Sequence, residues 1–290
     1  MKNIIKTILL IILFIPFWGA CSKTYIDFGE QYKKVLYIVN SDHVLHENDH
    51  FFKDTDYDSI SISIYCAGSE SIKEDVIVQL ALDEETLDSL NKIRLIADPF
   101  YKEKVLFPAD NFIFNKKNVT IKKGEQYGII KIPFTMNNLD IDNEYVLPLK
   151  ISGNNQNFEV NPKLKSIVYQ VNMMNHFSGD YSGSSTEIPS TIRSVQPTLK
   201  AISANSVRMP IHNLPSERIY LETNFMLLSL DTDSVTVHIS PWRDAKITDL
   251  GGSTYNKENK SLNLNYSFIT NDGKEYTINE KITSLLADDN

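Results

Sequence analysis

The chain has 290 residues and a formal net charge of −8, with 29 basic and 37 acidic residues. A surface this acidic argues against nucleic acid and anionic lipid headgroups as ligands, because both are negatively charged. Only two cysteines are present, so we expect a fold that is held together without disulfides. The length predicts two domains of ordinary size, each able to bury its own core.

The first residues have the order of a bacterial secretion signal. Lys2 and Lys6 precede an apolar run over residues 8–18, which is too short to span a bilayer. The run ends in Gly19-Ala20-Cys21, which resembles the lipobox of bacterial lipoproteins. The resemblance implies that residues 1–20 are removed and that the cysteine is acylated and anchors the chain in a membrane. The alternative is an ordinary secreted protein that is cleaved nearby.

After a lipidated tether over residues 21–33, residues 34–174 are predicted to form an immunoglobulin-like β-sandwich. Residues 60–64 alternate between isoleucine and serine, the pattern of a strand with one buried face. Asp83 is a good N-cap before a run with helical spacing, so one short helix is expected there. Apolar runs separated by turn signals, with the spacing of a sandwich, predict strands at residues 60–66, 76–80, 112–114, 119–121, 128–134, 145–152 and 167–172.

Residues 175–290 are predicted to form an antiparallel β-meander, either a small barrel or a sandwich. The joint between the two domains is expected at residues 173–176, where one strand ends and a glycine-marked run begins. Asn271-Asp272-Gly273 predicts a hairpin with a type I′ turn. Strands are expected at residues 198–203, 206–211, 219–229, 234–240, 246–250, 261–269 and 275–282.

Short motifs occur in a set order along both domains. They are the helix over residues 83–91, Leu106-Phe107-Pro108, Ile121-Lys122-Lys123-Gly124, residues 145–151, residues 175–181 and residues 262–266. Together they resemble an uncharacterised N-terminal domain, and its usual C-terminal partner, in Bacteroidetes lipoproteins encoded in polysaccharide-utilisation loci. The resemblance implies a glycan-binding lipoprotein of the outer membrane, on the cell surface beside importer components. It transfers no defined binding residues onto this chain.

The sequence lacks the familiar motifs of catalysis. It contains no Gly-x-Ser-x-Gly elbow, no Gly-rich phosphate loop, no His-Glu-x-x-His and no Cys-x-x-Cys pair, so we expect neither catalysis nor a cofactor. A small glycoside hydrolase stays an alternative, because the spacing of two catalytic carboxylates is set in three dimensions. Another is a structural or adhesion lipoprotein that binds a protein through an exposed strand edge.

Residues 42–50 concentrate His43, His46 and His50 among acidic residues. His43 and His46 would share a face only on a helix, so a solvated loop is favoured over a metal site. The remaining cysteine, Cys66, lies inside a predicted strand and has no partner for a disulfide. We therefore expect it to be a small buried apolar residue.

A sugar-binding site usually offers an aromatic ring to the apolar face of a pyranose, with polar groups for its hydroxyls. Trp242, followed by Arg243 and Asp244, comes directly after a predicted strand and is the best such constellation. Its indole is either a sugar platform on a loop or a large core anchor. Further candidates, each also typical of a core or strand-pairing ring, are Tyr181, Tyr220 and Tyr255.

Overall fold

The computed structural model describes residues 31–53, 57–189 and 191–285. The predicted signal segment and Cys21 lie outside these residues. The fold is nearly all β, which confirms the predicted class, and the predicted short helix is present as well. Within the described ranges, no helix is long and apolar enough to cross a membrane.

The first unit, which we call the sandwich, extends from β1 to β10. Its elements are β1 (Val35–Ile38), β2 (Leu45–Phe51), β3 (Asp58–Ala67), β4 (Val76–Leu82), α1 (Glu84–Ala97), β5 (Lys104–Leu106), β6 (Asn118–Ile121), β7 (Tyr127–Phe134), β8 (Glu144–Asn154), β9 (Glu159–Val160) and β10 (Ser166–Met174). One sheet has the order β7-β3-β1-β9, and the other has the order β2-β10-β8-β4-β6 with β5 beside β8. The β1–β9, β2–β10 and β5–β8 pairs are parallel.

The sandwich core lies between these two sheets. Strict alternation in β3 buries Ile60, Ile62 and Ile64 on one face, because successive side chains of a strand point to opposite faces. The ring of Phe107 meets that of Phe134 edge-on, with the centroids 5.6 Å apart. Apolar burial of this kind stabilises the fold by roughly 25 cal/mol per Å² removed from water.

The second unit, which we call the barrel, extends from β11 to β20. Its strands are β11 (Gly179–Glu187), β12 (Thr191–Val195), β13 (Thr198–Ser203), β14 (Ser206–Pro210), β15 (Phe225–Leu230), β16 (Val237–Pro241), β17 (Ile247–Asp249), β18 (Thr254–Asn256), β19 (Ser261–Ile269) and β20 (Glu275–Ser284). The order is β16-β15-β14-β13-β11-β20-β19-β17, with β12 beside β11 and β18 beside β19. Val237 N–H donates to the Ser253 carbonyl at 3.1 Å, so the antiparallel sheet is nearly closed.

The chain passes from sandwich to barrel between Met174 and Gly179. Asn175 in this connection is only 3% exposed, and its side-chain amide donates to the carbonyls of Ser203 and Ser206 at 2.7 and 2.8 Å. These bonds tie the connection to the turn between β13 and β14, so the first strand of the barrel starts in a fixed position.

The strand predicted at residues 112–114 is wrong. A short 3-10 turn occupies Ala109–Asn111, and Phe112 then makes a single bridge to Phe134. Phe112 is partly buried against the sandwich core. Phe114 packs against the core in the same way, whereas Ile113 is exposed, so the apolar run does not form a strand.

The strand predicted at residues 219–229 is correct only in its second half. Arg218–Tyr220 is a 3-10 turn, and β15 begins at Phe225. The buried side chain of Asn224 donates to the Pro215 carbonyl at 2.9 Å. This bond holds the preceding residues in a turn, which periodicity alone does not reveal.

Two local predictions are corrected by backbone geometry. At the β19–β20 hairpin only Gly273 has a positive φ among the three turn residues, at 84°, whereas a type I′ turn needs positive φ at both central positions. The hairpin is therefore present with a different turn. The histidine-rich residues 42–50 are not a loop throughout, because β2 starts at Leu45 and pairs with β10. Cys66 is buried, as expected.

Replacing Gly183 with alanine should destabilise the barrel by about 3 kcal/mol. A Cβ there would overlap the Lys281 carbonyl oxygen and come within 2.8 Å of the Ile282 Cα in β20. The matched control is Gly153→Ala in β8, where a Cβ meets only the Gln79 side-chain oxygen at 3.3 Å. Urea unfolding of both variants measures the difference. Equal losses would contradict the close approach of β11 to β20.

Candidate functional site

A groove runs along the junction of the sandwich and the barrel. It consists of two adjoining cavities of about 280 and 260 Å³, close to the lower end of the size range of ligand sites, roughly 300 Å³. The two cavities share Lys102, Thr198 and Lys200. We call this feature the junction groove. Side chains of both units line it.

The barrel side of the groove is built by neighbouring strands. In β13, Thr198 and Lys200 are exposed while the residues between and after them are buried. Lys200 lies directly opposite Arg208 in β14, and Pro210 lies opposite Phe225 in β15. Since facing residues of antiparallel strands stand side by side, the register gathers these side chains along one wall of the groove.

A buried ion pair crosses the groove from barrel to sandwich. The Arg208 guanidinium donates to both Asp142 carboxylate oxygens, at 2.7 and 2.5 Å, and the Arg208 side chain is only 2% exposed. Burial by itself would raise the pKa of Asp142, but the hydrogen bonds and charges of Arg208 and Lys200 outweigh it and lower that pKa. Asp142 is therefore ionised at neutral pH, and the pair is bidentate, the strong geometry for such contacts.

Two aromatic rings bracket the same guanidinium. The Arg208 Cζ atom lies 4.9 Å from the ring centroid of Phe225 and 5.2 Å from that of Trp242. The backbone N–H of Trp242 donates to the Phe225 carbonyl at 3.2 Å, whereas the indole Nε1 atom is buried and has no hydrogen-bond partner within the described residues. Within the described residues, the Arg208 Nε atom is buried and has no hydrogen-bond partner. Cation–π contacts therefore stabilise the part of the guanidinium that makes no hydrogen bond.

Three further cations line the groove. Lys102 comes from the segment between α1 and β5, Lys200 from β13, and Arg218 from the 3-10 turn before β15. The Lys200 ammonium is 3.5 Å from Asp142. Burial lowers the pKa of Lys102, and the charges of Lys200 and Arg218 lower it further, while Glu144 opposes them. The three cations are therefore close enough to repel one another.

Trp242, Arg243 and Asp244 lie next to the groove and do not line it. The Trp242 ring is partly buried, with the Arg243 Cζ atom 5.6 Å from its centroid in addition to Arg208. The Arg243 side chain pairs with Glu222. The guanidinium groups of Arg208 and Arg243 both contact this indole, so Trp242 supports Arg208 at the edge of the groove, and its role as a sugar platform stays a prediction.

None of the three tyrosine candidates lines the junction groove. Tyr181 is 1% exposed and Tyr255 is 5% exposed, so both rings belong to the barrel core, where a ligand does not reach them. Tyr220 is partly exposed and lines a separate cavity of about 330 Å³ beside Lys246 and Asp272. The structure therefore does not bring the predicted aromatic residues together into one site.

The histidines of residues 42–50 do not converge. His50 in β2 is buried and contacts Asp58 at 2.8 Å and the Tyr169 hydroxyl at 3.0 Å, whereas His43 is largely exposed. In the ranges that the structure describes, no three side chains of histidine, cysteine, aspartate or glutamate are arranged to hold a metal ion. His50 acts as a hydrogen-bonded core residue.

The groove residues were missed by the sequence analysis, although one signal was available. Arg208 lies within an apolar strand between Val207 and Met209. An arginine in such a strand must be paired if it is buried, so it indicates an acidic partner elsewhere in the chain. The sequence does not identify that partner as Asp142, which is 66 positions away.

A second buried polar cluster lies inside the barrel. The Glu280 carboxylate accepts from the Tyr266 hydroxyl at 2.7 Å and from the Ser185 hydroxyl at 3.3 Å, and the same serine contacts His212 Nδ1 at 2.7 Å. In a nucleophilic triad the imidazole bridges the hydroxyl and the carboxylate, whereas here the hydroxyl lies between the other two. All four side chains are buried, which is the geometry of a structural network.

The stability of the protein should depend on the proton of Glu280. Burial raises its pKa from 4.5 to about 7, although hydrogen bonds from Tyr266 and Ser185 partly oppose this. The folded protein then keeps a proton that the unfolded chain releases near pH 4.5. Raising the pH from about 5 to 8 should therefore cost on the order of 3 kcal/mol of the unfolding free energy.

The measurement is urea unfolding of wild type and Glu280→Gln across that pH range. The difference between the two isolates Glu280, because His212, whose pKa burial lowers, titrates in both proteins. We expect the wild type to lose stability relative to E280Q as the pH rises. A difference that is constant or grows in the opposite direction would contradict the assignment.

The Arg208–Asp142 pair should dominate the stability of the junction. Asp142→Asn leaves a buried guanidinium without its countercharge and should destabilise the protein by about 3 kcal/mol at neutral pH. Because the pKa of Asp142 is lowered, the wild type should have a larger free energy of unfolding than Asp142→Asn above about pH 4. This difference should disappear as the pH falls through the lowered pKa. The control is Asp75→Asn, which breaks an exposed pair with Lys122 and should change little. Similar unfolding curves for both variants would exclude a dominant role.

Two family models match the chain in the order of the two units. One is the model of an N-terminal domain and matches residues 32–157, and the other is the model of a C-terminal domain and matches residues 165–283. None of the curated proteins matches the chain.

Solved structures from Bacteroides share the fold. A Bacteroides ovatus protein of unknown function is 17% identical, with a TM-score of 0.64, and the match covers 86% of this chain and 94% of that one. A multidomain protein from the same organism is 17% identical, with a TM-score of 0.63 and coverage of 87% and 92%. An auxiliary nutrient binding protein from Bacteroides thetaiotaomicron is 15% identical, with a TM-score of 0.54 and coverage of 82% and 90%. The chain therefore matches an N-terminal and a C-terminal domain model in that order, and it shares its fold with proteins of Bacteroides.

Proposed function

We propose that this protein is a non-catalytic lipoprotein of the outer membrane, anchored through Cys21, that binds an oligosaccharide for a neighbouring glycan importer or glycosidase. The observation that carries the proposal is the junction groove. Its two adjoining cavities form an elongated site between two units, and an elongated ligand such as an oligosaccharide fits that shape. The lipobox-like sequence and the resemblance to surface lipoproteins support the placement at the cell surface.

The groups along the groove suit a polyhydroxylated ligand. Gln196 and Ser216 are exposed side chains in its wall, and both can donate to and accept from sugar hydroxyls. Leu221 and Pro210 add apolar surface beside them. A few polar groups set among apolar ones are typical of small-molecule sites.

The shared fold supports the same function. A protein of this fold from Bacteroides thetaiotaomicron is an auxiliary nutrient binding protein. Nutrient binding by a relative does not require a catalytic site, and the sequence offers none of the common catalytic motifs. A binding protein that delivers its ligand to another component accounts for these facts with the fewest assumptions.

Blocking the groove should abolish binding without unfolding the protein. We expect a glycan array probed with the purified protein to yield a hit, and Ser216→Trp to weaken it at least tenfold because the indole would fill the cavity. Ser194→Trp is the control, since Ser194 is exposed on β12 and does not line the groove. Calorimetry and melting curves measure affinity and stability separately.

Three results would contradict this proposal. One is the absence of any oligosaccharide ligand, and another is equal binding by S216W and S194W, which would move the site away from the groove. The third is cleavage of the bound sugar, detected by mass spectrometry after incubation. Cleavage would show that the protein is a glycosidase and not a binding protein.

A further inference from the structure

The junction groove differs in charge from the rest of the molecule. The whole chain has a net charge of −8, yet the first cavity of the groove is lined by four cationic side chains and one carboxylate. The cations are Lys102, Lys200, Arg208 and Arg218, and the carboxylate is Asp142. Positive charge is thus concentrated at one place on an acidic protein.

Internal pairing does not neutralise this charge. Asp142 makes the bidentate contact with Arg208 and lies 3.5 Å from the Lys200 ammonium, so one carboxylate serves two cations and the cavity keeps an excess of positive charge. The ammonium of Lys102 is 3.9 Å from Glu144, but that carboxylate makes a closer contact with Lys104. The three remaining cations stay accessible, because the side chains of Lys102 and Lys200 are 33% and 45% exposed and Arg218 is exposed.

The three cations line one cavity. Burial is the main cause of the lowered pKa of Lys102, and the charges of Lys200 and Arg218 lower it further, whereas Glu144 and Asp142 oppose them. Like charges gathered in a cleft with low-dielectric walls raise the local concentration of counter-ions. An anionic group bound among them would relieve the repulsion and gain charge-assisted hydrogen bonds.

The groove offers little to a ligand that binds by stacking. Of the described residues that line the first cavity, Phe225 is the one aromatic residue; it is 6% exposed, and its ring is engaged by Arg208. The second cavity provides neutral amides instead, from Asn143, Gln170 and Asn172. The Gln170 side-chain oxygen is buried and has no hydrogen-bond partner within the described residues.

We propose that the ligand is an acidic oligosaccharide, whose carboxylate or sulfate group binds to Lys102, Lys200 and Arg218 while neutral sugar units extend along the second cavity. This inference rests on the proposed function and narrows it to one substrate class. It assigns the charged end of the ligand to the first cavity and the hydroxyl-rich part to the amides of the second.

The experiment compares matched ligands that differ only in charge. The purified protein is titrated by calorimetry with oligogalacturonate and its methyl ester, and with a sulfated chondroitin oligosaccharide and its desulfated form. We expect the charged member of at least one pair to bind tenfold or more tightly than its neutral partner. Its affinity should fall as NaCl rises from low to high concentration, because the charges are partly exposed. Inorganic sulfate alone is included to test whether a free anion is sufficient.

Matched variants locate the effect. Lys200→Gln and Arg218→Gln should each weaken binding of the charged ligand by about three- to tenfold and leave the neutral partner unaffected. The control is Lys131→Gln, which removes the same charge. Lys131 is exposed on β7 and lies outside the groove. The substituted positions are exposed, so melting curves should not change.

The outcomes separate this inference from the proposed function. Equal affinity for charged and neutral partners would overturn the acidic ligand and leave an oligosaccharide-binding protein. Equal losses of affinity for the charged ligand in K200Q and K131Q would show that the effect comes from net charge. They would also overturn the assignment of the charged group to the first cavity. If inorganic sulfate bound as tightly as the sulfated sugar, the ligand would be a free anion and not an oligosaccharide. If the protein bound a neutral glycan of the array but no member of either pair, the acidic ligand would be overturned, whereas the absence of any hit on the array would contradict the proposed function itself.

Discussion

The bidentate contact between Arg208 and Asp142 joins the two units of this protein across the groove. Removing two charges from water is costly, and a buried pair compensates for that cost only when its geometry is good and its other groups are satisfied. Here the carboxylate accepts twice from one guanidinium. Two aromatic rings lie 4.9 and 5.2 Å from that guanidinium, although its Nε atom has no hydrogen-bond partner within the described residues. The pair therefore sets the relative position of sandwich and barrel more specifically than apolar contact would.

The same pair explains how a cationic wall can form at all. Lys200 and Arg208 face each other across β13 and β14, and like charges in directly opposite positions destabilise a sheet. Asp142 from the other unit lies within reach of both cations and offsets their repulsion. One carboxylate is thus shared by two cations, which leaves the groove positive and able to receive a further anion.

The buried polar groups of the barrel have a different role. Glu280 and its partners lie in the core, where burial favours the neutral carboxyl, whereas Asp142 at the junction stays ionised because Arg208 is beside it. Glu280 is the more deeply buried acid and no cation contributes to its pKa, whereas Asp142 is less buried and has Arg208 beside it, so the two pKa values shift in opposite directions. The barrel network contributes to the internal order of one unit, while the junction pair acts between units and borders the site where a ligand can bind.

The local sequence determined the class of fold and most of its elements. Alternation in residues 60–64 and the N-cap residue Asp83 predicted a strand and a helix that the structure contains, because periodicity reports which face of an element is buried. Two of the wrong predictions concern apolar residues that pack without forming a strand, at residues 112–114, and a strand that runs beside a distant partner, at residues 45–51. The parallel pairing of β2 with β10 joins positions such as Asn48 and Val171, and local pattern carries no signal for it.

The candidate site was less predictable from the sequence than the fold, because it depends on the tertiary structure. The sequence pattern favoured aromatic rings as the sugar-binding platform. In the fold, Tyr181 and Tyr255 are buried in the barrel core, and Trp242 packs against Arg208. The groove itself depends on the register that sets Lys200 opposite Arg208, and on a turn that brings Asp142 to the same place from another unit. The sequence determined that this protein is a two-part β structure with an acidic overall charge. Only the tertiary structure decided where its positive charges converge, because convergence depends on distances between residues that are remote along the chain.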